Sequence, residues 1–194
     1  MTDGPAPAAA VEHVKAHGKP NGDPRRVPID GPAFPTRLDL PAEDRSLLQQ
    51  LLNARLADAV DLYSQTKQAH WNVKGPNFYQ LHLLFDELAI IIEAHADLFA
   101  ERARSLGGEA RGTARMAASA STLPEFPEDL TTDMAFVKAL CDRYAAYGAS
   151  LRAAIHESTE LHDQSTADVF TEASRAADKA LYFLEAHVQG RPVR

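Results

Sequence analysis

A chain of 194 residues suffices for one ordinary domain with a tail, and two domains would be cramped in it. Its 45% hydrophobic and 24% charged content excludes a fibrous or wholly disordered chain, and no apolar run reaches membrane-spanning length, so no membrane partner is expected. The formal charge of −7 argues against nucleic-acid binding through the general surface and suits attraction of cations, while the single cysteine, Cys141, excludes a disulfide framework or a Cys-rich metal site.

The opening residues MTDGPAPAAAVEHV carry neither a basic segment nor the apolar stretch of a signal peptide. A cytoplasmic protein is expected, with association to the nucleoid as a variant of that expectation. Eight of the twelve prolines fall within the first 41 residues. Regular structure is incompatible with that density, so residues 1–40 read as an extended or disordered arm and residues 41–194 as the domain. The arm is charge-balanced, but the stretch from His13 to Arg26, with Lys15, Lys19 and Arg25, is locally basic. DNA binding through this arm is therefore permitted by charge without being required by it. His13 and His17 stand at i and i+4 and could share a metal only in a helical turn, which the prolines disfavour.

From Glu43 to Trp71, the apolar residues Leu47, Leu48, Leu51, Leu52, Leu56, Val60 and Tyr63 recur at helical spacing. Gly75-Pro76 breaks this first helix. A second runs from Phe78 to Ser105 and stops at Gly107-Gly108, so the two form a hairpin. Residues 109–129, rich in Gly, Ser, Thr and Pro, read as a crossover with a short helix near Thr113–Ala120. A long helix follows over about 132–158. Ser165-Thr166-Ala167-Asp168 resembles a capping box opening the last helix, which ends near His187. No segment alternates like a strand. The expected fold is all-α, a ferritin-like four-helix bundle with a long middle crossover.

The second helix carries His82, Asp86, Glu93, Asp97 and Glu101, which at 100° per residue fall within roughly a quarter of its circumference. A stripe of this kind is by itself more often a solvated face than a site. Its ends lie about 28 Å apart at 1.5 Å per residue, too far to share an ion within one chain. However, the pairs 82/101 and 86/97 share one midpoint, between Ile91 and Ile92. Two such helices packed antiparallel about a twofold axis there would set His82 and Asp86 of one chain against Glu101 and Asp97 of the other, with Ile91 and Ile92 packing at the axis. Folding the hairpin at Gly75-Pro76 also brings His70 level with His82. The resulting set is His70, His82 and Asp86 from one chain with Asp97 and Glu101 from its partner. Imidazole nitrogen mixed with carboxylate oxygen suits iron, with zinc and manganese as competitors, better than calcium or magnesium.

The run Gln65-Thr66-Lys67-Gln68-Ala69-His70-Trp71-Asn72-Val73-Lys74-Gly75-Pro76-Asn77-Phe78 closely resembles the Dps family of miniferritins, the DNA-binding proteins from starved cells. Leu81-His82-Leu83-Leu84-Phe85-Asp86-Glu87 and Asp97-Leu98-Phe99-Ala100-Glu101-Arg102 continue the likeness, which covers roughly residues 43–189. The resemblance implies a homododecamer enclosing a cavity, with ferroxidase centres at twofold interfaces. There Fe(II) would be oxidised by hydrogen peroxide, the preferred oxidant, or dioxygen, with at most two irons per centre, and stored as ferric mineral. The family's ligands carry over to His70, His82, Asp86, Asp97 and Glu101, and its neighbouring tryptophan to Trp71. The resemblance also implies a carboxylate-lined threefold pore at Asp163, Asp168 and Glu172. The family's usual tryptophan in the last helix is Tyr182 here, a departure at subunit packing rather than at iron. No Glu-x-x-His occurs, so the intra-bundle di-iron motif is missing. Two other readings are a nucleoid-binding structural protein with a vestigial iron site and a ferritin-like oxygenase or peroxidase with an apolar substrate pocket.

Overall fold

The computed structural model describes residues 34–190, and the expectations attached to His13, His17 and the basic group of the arm lie outside them. The described residues form five helices: α1 (Ala42–Asn72), α2 (Phe78–Ser105), the short α3 (Ala114–Ala120), α4 (Asp133–Glu160) and α5 (Gln164–Ala186). The α1–α2 and α4–α5 hairpins pack side by side, α1 against α4 and α2 against α5, while α3 lies on α1. Leu52, Leu62, Phe85, Phe99, Tyr144, Leu151 and Phe170 meet in the common core. Phe99 and Phe170 join α2 to α5 with ring centroids 5.3 Å apart in a tilted arrangement favoured by the aromatic quadrupole.

The crossover from α2 to α4 is held by polar residues of α1 at helical spacing. Gln49 donates to the Leu106 carbonyl at 2.8 Å, and Asn53 donates to the Glu109 carbonyl at 2.9 Å while accepting from the Arg111 amide at 2.8 Å. Fully buried Asp58 accepts from the Thr122 amide at 2.8 Å, and Gln65 donates to the Pro124 carbonyl at 3.1 Å. A loop that lies against a bundle must find partners for its backbone groups, and this stripe supplies them.

At the C-terminal end of α2, where the crossover begins, the Phe34 amide donates to the Gly107 carbonyl at 2.7 Å. Gly107 has φ +86°, and a Cβ there would approach the Phe34 carbonyl oxygen to 2.5 Å. The Arg104 guanidinium sits 4.5 Å from the Phe34 ring centroid. Thus the last residues of the expected arm, from Phe34 onward, run against the bundle.

The capping box expected at Ser165 does not form. Helix α5 is capped two residues earlier, by Asp163, whose carboxylate accepts from the amides of Ser165 and Thr166. Asp and Ser are both good caps, and Asp163 is chosen because Arg102 of α2 also binds its carboxylate.

Candidate metal centre

The last turn of α1 and the first turns of α2 bring His70 and His82 together with ring centroids 3.8 Å apart, stacked at 19°. Their Nδ1 atoms lie 2.7 Å (His70) and 2.9 Å (His82) from each other's backbone carbonyl oxygens. A carbonyl only accepts, so each Nδ1 carries the hydrogen, and in the neutral ring it is Nε2 that keeps the free lone pair, the tautomer a metal needs. The His70 carbonyl belongs to the end of α1, where carbonyls lack intrahelical partners, so His82 also acts as a C-terminal cap. Nε2 of His70 stands 3.9 Å from Oδ1 of Asp86.

That same carboxylate oxygen is held at 2.6 Å by Nζ of Lys67, one turn before His70. The hydrogen bond from Lys67 leads in holding the Asp86 carboxyl below its ordinary range, helped by the charge of Lys67 and the nearby imidazoles against some desolvation. Lys67 was missed in the sequence reading although its i−3 spacing from His70 could have flagged it. Trp71 is exposed and lies with its ring centroid 5.9 Å from the Lys67 nitrogen. A divalent ion bound through Asp86 has to displace the ammonium. Lys67→Met is therefore expected to bind Co(II) several-fold more tightly in a spectroscopic titration; unchanged or weaker binding would show that the lysine does not compete.

Asp97 and Glu101 are exposed and unpaired among the described residues, as is Glu93. No three His, Cys, Asp or Glu side chains of the described residues converge as a metal-holding group. One chain thus offers two separated portions, the His70/His82/Asp86 cluster and the Asp97/Glu101 pair. Of the residues expected at the axis, Ile92 is fully buried in its own chain's core and Ile91 is only 37% exposed. Ile90 is 61% exposed and, at 100° per residue, lies in the same arc as the stripe, as does exposed Leu83. The phase of α2 is set by Phe85, Ile92 and Phe99 facing inward, which turns Ile90 out.

The three carboxylates near α5 divide. Asp168 and Glu172 are exposed, whereas Asp163 is 4% exposed and engaged by Arg102 at 2.8 and 2.9 Å. Burial pushes its carboxyl up, but hydrogen bonds from Thr166 and Arg102 outweigh this and hold it below the ordinary value. Asp163 is therefore a structural anion. His95 is buried and meets Tyr147 with Nδ1 3.3 Å from the hydroxyl. Tyr182 is exposed on α5. Cys141 is half-buried, and burial leads in pushing its thiol up to about 11.

Two antiparallel helix pairs joined by a long crossover, with histidines and carboxylates on one outward helix face, define a ferritin-like protein. A ferritin-like domain family matches residues 49–191. The chain is 44% identical over 154 residues to the DNA protection during starvation protein of Agrobacterium fabrum, covering 79% of this chain and 95% of that one. Its fold matches an archaeal Dps homologue from Halobacterium salinarum with TM-score 0.79 at 25% identity, over 87% of this chain and 94% of the other. DpsC from Streptomyces coelicolor matches with TM-score 0.77 at 29% identity, over 84% and 95% respectively. The chain belongs to the Dps family of ferritin-like proteins. No helix of the described residues is long and apolar enough to cross a membrane.

Proposed function

We propose that this protein takes up Fe(II), oxidises it at sites shared between two chains, and retains the ferric product inside a homododecamer, so limiting oxidative damage to DNA. The observation that carries this reading is the reciprocal His70/His82 pair, which presents two Nε2 lone pairs beside Asp86. Asp97 and Glu101 sit at mirror positions on the same helix, on a face that also exposes Ile90 and Leu83 for packing against a second copy.

Iron is the substrate. The imidazoles bind Fe(II) without adding charge, and the carboxylates favour the more highly charged Fe(III), so oxidation is assisted by the donor set. Hydrogen peroxide accepts two electrons, one from each of two Fe(II), giving two Fe(III) and two hydroxide ions. Pairing the oxidations avoids release of hydroxyl radical. Trp71, next in sequence to His70 and near Lys67, lies beside the proposed centre, and dioxygen is the alternative acceptor.

Light scattering combined with iron analysis after Fe(II) and peroxide loading tests the reading. A twelve-subunit particle that retains iron is expected. A stable monomer or simple dimer at neutral pH overturns it, as does a particle that holds DNA tightly while consuming no peroxide with Fe(II).

Asp168 and Glu172 supply the exposed charge of the proposed pore. Converting both to amides is expected to slow iron uptake at low ionic strength while leaving binding at the centre unchanged, because steering depends on unscreened charge. Equal uptake rates under those conditions would remove the steering role. Asp163→Asn, by contrast, should lower the thermal midpoint, since it weakens the α5 cap and the Arg102 pair together.

A further inference from the structure

The turn that sets the two histidines level is held from outside the hairpin. Asn77 precedes α2 in the N-cap position, yet its side chain caps nothing in α2. Its amide nitrogen donates instead to Oδ2 of Asp133 at 3.0 Å, and its backbone N–H donates to the same oxygen at 3.1 Å. The other oxygen of Asp133 accepts from the Met134 amide at 2.8 Å, in the first turn of α4. Asp133 is only 7% exposed. One buried carboxylate therefore lies between the N-termini of α2 and α4, and α2 has no acidic residue of its own in its first turn. Burial pushes its carboxyl up, but the hydrogen bonds donated by the Asn77 amide and side chain and by the Met134 amide outweigh this and hold it below the ordinary value; an anion between two helix starts is also favoured by their partial positive charge.

Gly75 completes the latch. Its φ is +130°, and a Cβ there would approach Asp133 to 3.0 Å. The Phe78 amide donates back to the Gly75 carbonyl at 3.1 Å, so the turn closes directly onto the start of α2. The reciprocal imidazole–carbonyl bonds join His70, five residues before Gly75, to His82, five residues after Asn77. They require α1 and α2 to keep one relative height and rotation, which this turn fixes.

We propose that Asp133 is a positioning residue for the two-histidine portion of the metal site, acting through Asn77 and the α1–α2 turn without touching the ion. This rests on the reading of His70 and His82 as ligands. Loss of the latch lets the hairpin ends slide, breaks the paired Nδ1 hydrogen bonds, and leaves the Nε2 lone pairs no longer convergent.

The test uses full-length assembled protein and Co(II) as the probe, with the imidazole nitrogens followed by NMR. Asp133→Ala is expected to weaken Co(II) binding by roughly tenfold, the scale on which partners behind a metal ligand act. It should also shift the Nδ1–H signals of both histidines, while particle size is unchanged. Single-turnover oxidation at saturating Fe(II) should stay close to wild type, so the loss falls on affinity. Asp133→Asn keeps one acceptor oxygen for Asn77 and should fall between, and it serves where the alanine variant does not assemble. Asp58→Asn loosens the crossover, at another buried carboxylate, and should leave Co(II) affinity unchanged. Wild-type affinity and unshifted histidine signals in both Asp133 variants would overturn the proposal, as would an equal loss in Asp58→Asn. Were Co(II) binding insensitive to His70→Ala and His82→Ala, the ligand assignment itself would fail, a result separate from failure of Asp133 alone.

Discussion

Particles assembled only from His82→Ala chains, or only from Glu101→Ala chains, are expected to lose rapid Fe(II) oxidation by more than the ~10–100-fold that removal of a partner behind a metal ligand causes. Co-expression of the two variants should then restore part of it. In a mixed dimer, one shared site carries both lesions, and the other pairs the intact His82 of one chain with the intact Glu101 of its partner. Random pairing makes half of the dimers mixed, so about a quarter of all sites are whole and about a quarter of wild-type activity should return. The separation of His82 from Glu101 along α2, about 28 Å at 1.5 Å per residue, is what makes this outcome specific to shared sites. Mixed particles, verified by mass, that show only the average of the two defective activities would overturn the assignment of sites shared between chains.

What the sequence discloses about this protein follows helical periodicity. The stripe at 82, 86, 93, 97 and 101 is legible because a single helix fixes the mutual angles of its residues. The approach of His70 to His82 follows from a hairpin folded at Gly75-Pro76, and the structure adds the crossed Nδ1 bonds that define the tautomer. Features that depend on contacts between elements were less legible. Ile91 and Ile92 were equally apolar candidates for an exposed packing face, but the inward phase of Phe85 and Phe99 buries Ile92 and leaves Ile90 outside. Ser165 and Asp163 were both chemically competent caps, and an arginine 61 residues earlier selects the aspartate. Nothing local in the sequence announces that Asn77 bonds to a carboxylate 56 residues later. Polar residues of α1 that bind the crossover have the same helical spacing as a solvated face, so their partners are visible only once the loop is in place.

Acid should destabilise the bundle before Asp86, Asp133 or Asp163 is protonated. His95 is 5% exposed, its ring lies 6.2 Å from that of Tyr147 and 6.3 Å from that of Phe99, and burial pushes its pKa down from 6.5 to about 4. Between those values the unfolded chain binds a proton at His95 that the folded chain refuses. Stability is therefore fully present above about pH 6.5 and is lost as pH falls toward 4, by about 2 kcal/mol at pH 5 and about 3 kcal/mol in full. Asp86, Asp133 and Asp163 are all held below the ordinary carboxyl value of 3.8, so their contributions persist through this window and disappear only in stronger acid. Two stages of acid loss are expected, of which only the first belongs to His95. Replacing His95 by glutamine keeps a neutral polar group facing Tyr147 and removes the proton. Urea midpoints measured at pH 7 and pH 5, at one protein concentration, should fall much less between the two conditions in His95→Gln than in wild type. Because His95 lies on α2 only two residues before Asp97, the first stage should also loosen the segment that carries the Asp97/Glu101 pair. Faster amide hydrogen exchange over residues 92–101 at pH 5 than at pH 7, suppressed in the glutamine variant, is the expected result. An equal pH dependence in the two proteins would remove His95 as its source.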